Sequence, residues 1–416
     1  MPPTVAGGRS EGPPGTRPLT VVIAPDSFKG SLSSIEVARA LADGWRRVRP
    51  FDEIVPAPLA DGGEGTLLAI ETAGGWTRRD APAHDPLGRE IVGHWLQSTD
   101  GGRGFIELAV ASGLSRLEPA ERDALRASSL GTGEILRAAL DAGVRRLTLG
   151  LGGSATTDGG SGILRALGVR LLDVDGQLLP AGGAALAGLR RVDLSGLDPR
   201  LAEVDLRIAS DVDNPLLGPR GAAATYGPQK GASPSQVAEL DAALAVFAER
   251  MAEAAESIGS GGRSRVATER DRPGAGAAGG TTFGLACLAG RLRSFAIVAG
   301  IDVVTEETDL AGKLRRADIV ITGEGRIDEQ TGFGKTAMGV ARRAAEAGVP
   351  CVAVGGGVAP AGIEALRPWN AIVVPVVEAP MTVAQAMAAG AEPVVRCGER
   401  IARLVSAGLD LAARAR

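Results

Sequence analysis

Lysine is scarce in this chain, and three of its four lysines lie in short loop-like segments that contain glycine. Lysine and arginine together number 45 among 416 residues, and only four of these are lysine. The guanidinium group of arginine is planar and extended, whereas the ammonium group of lysine is a compact point charge. A site that needs the compact charge therefore resists replacement of lysine by arginine. Lys29, Lys230 and Lys335 have neighbouring glycines, whose backbone N–H groups can also converge on an anion. They predict phosphate binding, whereas Lys313, in an ordinary helical stretch, is predicted to be a solvated surface charge.

The first of these lysines follows the first predicted strand. An apolar, β-branched run starting at Leu19 is typical of a buried parallel strand. Asp26, Ser27 and Lys29 follow it, just before a helix whose start carries a capping-box pattern, Ser33 to Glu36. Ligands of open parallel sheets lie beyond the carboxyl ends of strands, and helix N-termini favour anions. We therefore predict a binding loop rather than a polar turn alone.

A second strand, residues 54–59, runs into a glycine turn with two carboxylates, Asp61 and Glu64, around Gly62 and Gly63. The spacing D-x-x-E is also that of a capping box, so by itself it favours neither a site nor a cap. Its place at the carboxyl end of a strand favours a site.

The segment from Thr322 to Thr336 combines carboxylates for Mg²⁺, cations for phosphate oxygens and glycines that expose N–H groups. We predict a strand at 318–322, a loop at 323–335 and then a helix. The loop is not a P-loop, because Glu329 stands where that pattern requires glycine. Its candidate residues are the carboxylates Glu324 and Asp328, the cations Arg326 and Lys335, and the glycines Gly323 and Gly325.

A glycine-rich loop, residues 150–162, follows another predicted strand and matches G-x-G-x-x-[GA] at its start. Together with Asp173, about twenty residues later, this loop resembles the sequence fingerprint of a dinucleotide-binding site. Because the loop is more polar than that motif requires, we interpret Gly152, Gly153 and Ser154 as substrate or phosphate ligands. Binding of a nicotinamide cofactor is the rival interpretation.

Two carboxylates and an amide, Asp211, Asp213 and Asn214, lie just past a further strand-like run, and Lys230 follows soon after. A cap or an Asx turn is the plain alternative to a site here. The glycine-rich stretch 274–280 is either a linker or a backbone-lined part of the site.

The order of these elements predicts an α/β fold with two domains behind a disordered tail, residues 1–18. A Rossmann-like domain with a parallel sheet forms from both chain ends, residues 19–76 and 291–416. The middle, residues 77–290, forms a second, inserted α/β domain, with the active-site cleft between the two. We expect strands broken by proline and glycine between 77 and 103, a partly mobile loop at 257–280, and a last helix that packs Val394 to Leu411 on the sheet.

Composition excludes several classes of protein. A net charge of −4 and 3% aromatic residues argue against a nucleic-acid partner, and no apolar run of membrane-spanning length occurs. With two histidines, a zinc site or a Ser-His-Asp triad is not expected. Three separated cysteines in apolar surroundings predict buried thiols and a cytoplasmic protein. The sequence carries no signal for an oligomeric state.

Taken together, these segments resemble the bacterial type I glycerate kinase family, in the family's order and over nearly the whole chain after the tail. Thr157 departs from it, where asparagine is common, and so does Ser210, where cysteine is frequent. The segments that carry the resemblance are PDSFKGSLS at 25–33, ADGGEGT at 60–66, LGTGE at 130–134, GLGGSATTDGG at 150–160, DVDNPLLGPRGAA at 211–223, YGPQKGA at 226–232, GAGAAGG at 274–280 and ADIVITGEGRIDEQT at 317–331.

The resemblance implies ATP-dependent phosphorylation of D-glycerate, usually to 2-phosphoglycerate, with Mg²⁺, in two α/β domains across a cleft. For this reaction, Asp61 or Asp158 would be the base that accepts the proton of the glycerate hydroxyl, and Lys29 would bind the substrate carboxylate. Lys335, with Lys230 or Arg326, would balance phosphate charge. The candidate Mg²⁺ ligands are Glu324, Asp328, Asp211 and Asp213.

Three alternatives stay open from the sequence. Within kinases, the acceptor is the 3-hydroxyl of glycerate or another small sugar acid. From another class, an NAD-dependent oxidoreductase would use residues 150–173. A sensor of sugar acids without enzymatic activity is the least favoured, because carboxylates and cations occur on so many separate loops.

Overall fold

The computed structural model describes residues 17–60, 63, 65–256, 262–329, 331 and 336–415 and shows a mixed α/β protein. The chain divides into two compact units. The end unit comprises the described parts of residues 1–61, 68–74 and 304–416. The middle unit comprises those of residues 62–67 and 75–303.

Strands and helices alternate along most of the chain. The strands are β1 (Thr20–Pro25), β2 (Glu53–Pro56), β3 (Trp76–His84), β4 (Glu90–Ser98), β5 (Arg103–Glu107), β6 (Arg146–Gly150), β7 (Arg170–Leu172), β8 (Arg191–Asp193), β9 (Asp205–Ala209), β10 (Ser294–Val298), β11 (Ile319–Ile327), β12 (Cys351–Val358) and β13 (Ile372–Pro375). The α-helices are α1 (Ser34–Arg46), α2 (Thr66–Ala73), α3 (Ala109–Ser112), α4 (Leu130–Asp141), α5 (Ser161–Ala166), α6 (Ala222–Tyr226), α7 (Pro234–Glu256), α8 (Gly262–Asp271), α9 (Ala277–Ala286), α10 (Gly300–Glu307), α11 (Leu310–Leu314), α12 (Thr336–Glu346), α13 (Pro360–Leu366), α14 (Val383–Ala388) and α15 (Glu392–Arg414).

The end unit contains a five-stranded parallel sheet in the order β13-β12-β11-β1-β2. Val21 on β1 lies opposite Ile319 on one side and Ile54 on the other. The side chains of β1 from Val21 to Ala24 are completely buried, as expected of a central strand. Because β1 pairs with β11, the two chain ends form one parallel sheet, which confirms the prediction.

Helix α1 begins at the predicted capping box. Ser33 Oγ accepts a hydrogen bond from Glu36 N at 3.2 Å, and Glu36 Oε2 accepts one from Ser33 N at 2.8 Å. Hydrogen bonding from Ser33 to the carboxylate lowers the pKa of Glu36. Both orphan N–H groups are thereby satisfied, so the helix start is fixed beside the loop after β1.

The last helix differs from the expectation in its second half. Val394, Cys397 and Ile401 are buried in the same apolar cluster as α1, as predicted. Leu404 and Leu411, however, are 69% and 66% exposed. The prediction was wrong for them, because helical spacing gives a face of the helix but not how far its packing partner extends.

The middle unit contains a six-stranded sheet in the order β10-β9-β6-β5-β4-β3. Strands β5, β6, β9 and β10 are parallel, and β3 and β4 add an antiparallel edge. Strand β10 pairs with β9 from Ser294 to Val298. The boundary predicted at residues 290/291 therefore lies too early, because this strand belongs to the sheet of the middle unit.

Strands β3 and β4 form one continuous nine-residue pairing, not the broken strands expected there. Pro82 lies within β3 opposite Val92. Since β3 is the edge strand, an absent N–H on its open side interrupts no hydrogen-bond ladder. This is why the proline does not end the strand.

The predicted loop at 257–280 is also more ordered than expected. Residues 257–261 lie outside the described part, but residues 262–271 form α8, whose Val266 is buried. None of the described helices has the length and apolar composition needed to cross a membrane.

Candidate active site

Asp26 connects three polar segments of the end unit at the carboxyl edge of its sheet. Its backbone N donates to Gly323 O at 2.8 Å, and its Oδ2 accepts from Thr336 Oγ1 at 2.7 Å. Its Oδ1 accepts from the backbone N of Ser27 at 2.6 Å. The structure thus brings the loop after β1, the end of β11 and the start of α12 together. Lys29 lies exposed in the first of these segments.

The segment from Gly323 is a strand rather than the predicted loop. β11 continues to Ile327, with Glu324 opposite Gly355 and Arg326 opposite Gly357 on β12. The sequence showed both glycine-rich segments but not that they would pair with each other. Gly323 is therefore paired with Val354, Gly325 lies within the strand, and the polar side chains project from an extended backbone.

Glu324, Arg326 and Asp328 supply the charges of this edge. Glu324 is buried, and its Oε1 accepts a hydrogen bond from Thr331 Oγ1 at 2.5 Å. Arg326 is exposed, and its Nε lies 3.2 Å from Asp328 Oδ2. No group of three or more potential metal ligands occurs among the described residues. Mg²⁺ usually takes only one or two carboxylates beside substrate phosphates, so Glu324 and Asp328 fit that ion as oxygen donors.

Four predicted site residues, Asp61, Gly62, Glu64 and Lys335, lie outside the described residues. The neighbouring start of α2 is described, and a residue that the sequence analysis missed caps it. Glu107, at the end of β5, accepts from Gly65 N at 3.0 Å and from Leu67 N at 2.8 Å. Gly63 O accepts from Thr66 Oγ1 at 2.6 Å. The signal for Glu107 was a carboxylate that ends an apolar run, Phe105–Ile106.

The glycine-rich loop after β6 is organised by Asp158. Its buried carboxylate accepts from Ser129 N and Oγ at 2.9 and 2.8 Å, and from Gly160 N and Gly162 N at 3.0 and 3.2 Å. Oδ2 accepts three of these bonds and Oδ1 accepts one, and the side chain is completely buried. This geometry argues against Asp158 as the base that takes a substrate proton.

The first turn of the same loop contains Gly152, Gly153 and Ser154. Gly153 O accepts from Leu114 N at 2.7 Å. Ser154 Oγ accepts from the backbone N of Thr156 at 3.1 Å. These bonds fix the loop next to the carboxyl end of β6, the position expected for a ligand-binding loop.

Asn214 and Asp211 have structural partners. Asn214 Oδ1 accepts from Tyr226 OH at 2.7 Å, and its Nδ2 donates to Arg220 O at 2.9 Å. Asp211 Oδ1 accepts from Gly300 N at 2.9 Å, at the start of α10. Asp213 is exposed, and burial together with its charge raises the pKa of Tyr226. These contacts match the cap-and-turn alternative for this segment better than the predicted ligand roles of Asn214 and Asp211.

Two of the three lysines that the structure describes are buried, and for Lys313 this contradicts the prediction. Lys313, predicted to be a solvated surface charge, is only 8% exposed. Its Nζ donates to Ala73 O at 2.9 Å and to Pro56 O at 3.3 Å. Burial lowers its pKa to about 8. The prediction was wrong because the local pattern of α11 does not show which carbonyl groups pack against it.

The structure does not place Asp173 where the nicotinamide-cofactor interpretation requires an acidic residue. Asp173 follows β7, which pairs with β8 in a separate two-stranded sheet. Its Oδ1 accepts from Asp175 N at 2.9 Å and Gln177 N at 2.8 Å, which is an Asx-type turn. A dinucleotide fingerprint needs this residue within the same βαβ unit as the glycine loop.

Comparison with known proteins agrees with the resemblance seen in the sequence. The family model described as the glycerate kinase family matches residues 21–406. The chain is 45% identical over 338 residues to a Haemophilus influenzae protein named glycerate kinase, covering 81% of this chain and 86% of the relative. It is 43% identical over 339 residues to an Escherichia coli protein named glycerate 2-kinase, covering 81% and 85%. A crystal structure of a glycerate kinase 2 candidate from Salmonella typhimurium LT2 superposes with a TM-score of 0.78 at 40% identity, covering 95% of this chain and 100% of that one.

Proposed function

Because the chain belongs to the glycerate kinase family, we propose that it transfers the γ-phosphoryl group of ATP to the 2-hydroxyl of D-glycerate, giving 2-phosphoglycerate and ADP. The observation that carries the 2-position is the 43% identity to the Escherichia coli protein named glycerate 2-kinase. The three buried, free cysteines support a cytoplasmic location.

Phosphoryl transfer consists mostly of positioning the reactants and neutralising charge. We assign the substrate carboxylate to exposed Lys29, beside the N-terminus of α1. Arg326, also exposed, and Lys335 would meet phosphate oxygens. Glu324 and Asp328 would hold Mg²⁺, which neutralises charge on the transferring phosphate when it is bound.

The proton of the attacking hydroxyl needs a carboxylate acceptor. Of the two candidates, Asp158 is buried and accepts from four donors, two on Ser129 and two in its own loop, which leaves Asp61 as our assignment. We expect Asp61→Asn to lower kcat by about 10²-fold or more with little effect on unfolding. Asp158→Asn should instead destabilise the protein, because a buried acceptor becomes a donor. A normal kcat in Asp61→Asn would refute the assignment.

The reaction is tested by coupled detection of ADP and by NMR of the product. A signal for 2-phosphoglycerate is expected with D-glycerate, ATP and Mg²⁺. Formation of 3-phosphoglycerate would overturn the proposed position, and turnover only with another sugar acid would overturn the acceptor. Thermal-shift measurements with ATP–Mg²⁺ and with NAD test the remaining alternative, since a bound ligand raises the unfolding temperature.

A further inference from the structure

Lys230 is deeply buried in the middle unit. It ends a 3₁₀ turn, Pro228–Lys230, and is 2% exposed. Its Nζ donates to the backbone carbonyl of Thr156 at 2.5 Å. Gly231 follows with φ +94°, and a side chain there would come within 2.7 Å of Arg122 O. The lysine is therefore directed into the protein by a turn that requires glycine.

An aromatic residue lies over the other side of the ammonium group. Lys230 Nζ is 5.9 Å from the centre of the Tyr226 ring, within the range of a cation–π contact. The hydroxyl of Tyr226 donates to Asn214, which in turn donates to Arg220 O. The ring is thus held in place by hydrogen bonds of its own.

The Thr156 carbonyl belongs to the glycine-rich loop after β6. From another direction, Gly279 packs so closely that a Cβ there would overlap Thr156 O. Gly279 O accepts from Gly159 N at 2.9 Å, and Asp158 holds the amides that follow. The loop that begins with Gly152 to Ser154 is therefore held between α9 on one side and Lys230 on the other.

We propose that Lys230 is a positioning residue: by donating to Thr156 O it fixes the conformation of residues 152–162, and it does not touch phosphate itself. The proposal rests on the proposed function and on the interpretation of Gly152, Gly153 and Ser154 as substrate or phosphate ligands. It replaces the sequence-based assignment of Lys230 as a phosphate ligand.

The electrostatics of the site agree with this role. Burial lowers the pKa of Lys230 to about 7, while the charge of Asp158 opposes that shift. A lysine that binds phosphate has to be accessible to it, and Lys230 is buried in surroundings that disfavour its charged form. A compact N–H donor for one carbonyl is what the pocket requires, which explains why arginine has not replaced it.

Amine-reactive labelling of the wild-type protein tests accessibility without any mutation. The chain has only four lysines, so each labelled site can be resolved by mass spectrometry. Lys230 is expected to react at least tenfold more slowly than exposed Lys29, with and without ATP–Mg²⁺. Labelling of ligand-free Lys230 as fast as Lys29, with protection by ATP, would identify it as a phosphate ligand and overturn the proposal.

Variants test the positioning role. In Lys230→Met, hydrogen exchange of the amides in residues 152–162 should become at least tenfold faster. We expect kcat to fall about tenfold and the KM for ATP to stay within threefold of wild type. Lys230→Arg should show a similar fall in kcat, because the longer guanidinium group would overpack this buried site. Arg137→Met, which removes an exposed cation from α4, is the control and should change none of these values.

Two results with the variants would overturn the proposal: wild-type loop exchange in Lys230→Met, or recovery of kcat in Lys230→Arg. If neither variant folds, the labelling experiment decides alone. Labelling and exchange do not depend on turnover, so failure of the wild type to phosphorylate glycerate would reject the proposed function and leave the role of Lys230 to these measurements.

Discussion

Replacing Glu107 by glutamine should loosen the start of α2, which adjoins the proposed base Asp61. The carboxylate accepts two backbone N–H groups, those of Gly65 and Leu67, through separate oxygens. A glutamine side chain has a single acceptor oxygen, so one of the two amides would face an NH₂ group. The substitution also removes a negative charge from a helix N-terminus.

The size of the effect follows from these contacts. A hydrogen bond to a charged group contributes about 1.5–3 kcal/mol, and a first-turn charge contributes about 0.3–1 kcal/mol. We therefore expect local opening to become easier by about 2 kcal/mol. Since 1.4 kcal/mol corresponds to about a factor of ten, the amides of Gly65 and Leu67 should exchange about 30-fold faster.

Residue-resolved hydrogen exchange measures this directly, and kcat should fall in parallel because the same segment carries Asp61. Glu203→Gln is the matched control: its side chain is 72% exposed, and its carboxylate is paired with Arg145 at 3.2 Å. That control should change stability by less than about 0.5 kcal/mol. Exchange at both capped amides within twofold of wild type in Glu107→Gln would refute the reasoning.

Buried polar groups give three further predictions. Thr157 Oγ1 has no hydrogen-bond partner within the described part of the chain, so Thr157→Val should be neutral or stabilising by about 1 kcal/mol in urea unfolding. Thr132→Val removes a 2.7 Å bond to a serine hydroxyl and should destabilise the protein by about 1–3 kcal/mol. A larger loss of stability in Thr157→Val than in Thr132→Val would contradict this account of the two hydroxyl groups. The folded-state pKa of Lys230, about 7, lies below the ordinary lysine value of 10.5, so the unfolded state binds more protons between these pH values and stability should rise with pH there. The stability difference between wild type and Lys230→Met should accordingly change by up to about 1.4 kcal/mol per pH unit, and a constant difference from pH 7 to 9 would count against the shift. Lys313→Arg should lower the unfolding temperature, at a cost of about 1–3 kcal/mol, because the larger guanidinium group would overpack the surroundings of a side chain that is only 8% exposed. Exposed Arg315→Lys, measured alongside, should leave the unfolding temperature unchanged.

The parts of the fold that short segments encode were predictable. The strand that begins after Leu19 follows from an apolar β-branched run, and the start of α1 follows from Ser33 and Glu36, three residues apart. Apolar periodicity likewise placed Val394 and Ile401 of α15 on a buried face. Each of these signals depends on a few neighbouring residues, so it survives without knowledge of the rest of the chain.

Contacts between distant segments were not predictable in the same way. Glu107 caps α2 from 40 residues away, and the extension of β11 to Ile327 depends on pairing with the glycines of β12. Pro82 is compatible with β3 only because that strand lies at the edge of its sheet. A single sequence does not show which remote backbone groups will become neighbours, and these features depend on that.

The lysines show the same difference between what the sequence determines and what the tertiary structure decides. The sequence by itself determined the family, the alternation of strands and helices, and the few positions where a compact ammonium group is kept. Only the tertiary structure decided what that group meets, because a phosphate oxygen and a buried backbone carbonyl accept the same hydrogen bond. For Lys230 and Lys313 the partners are the carbonyl groups of Thr156 and Ala73, in segments far away along the chain.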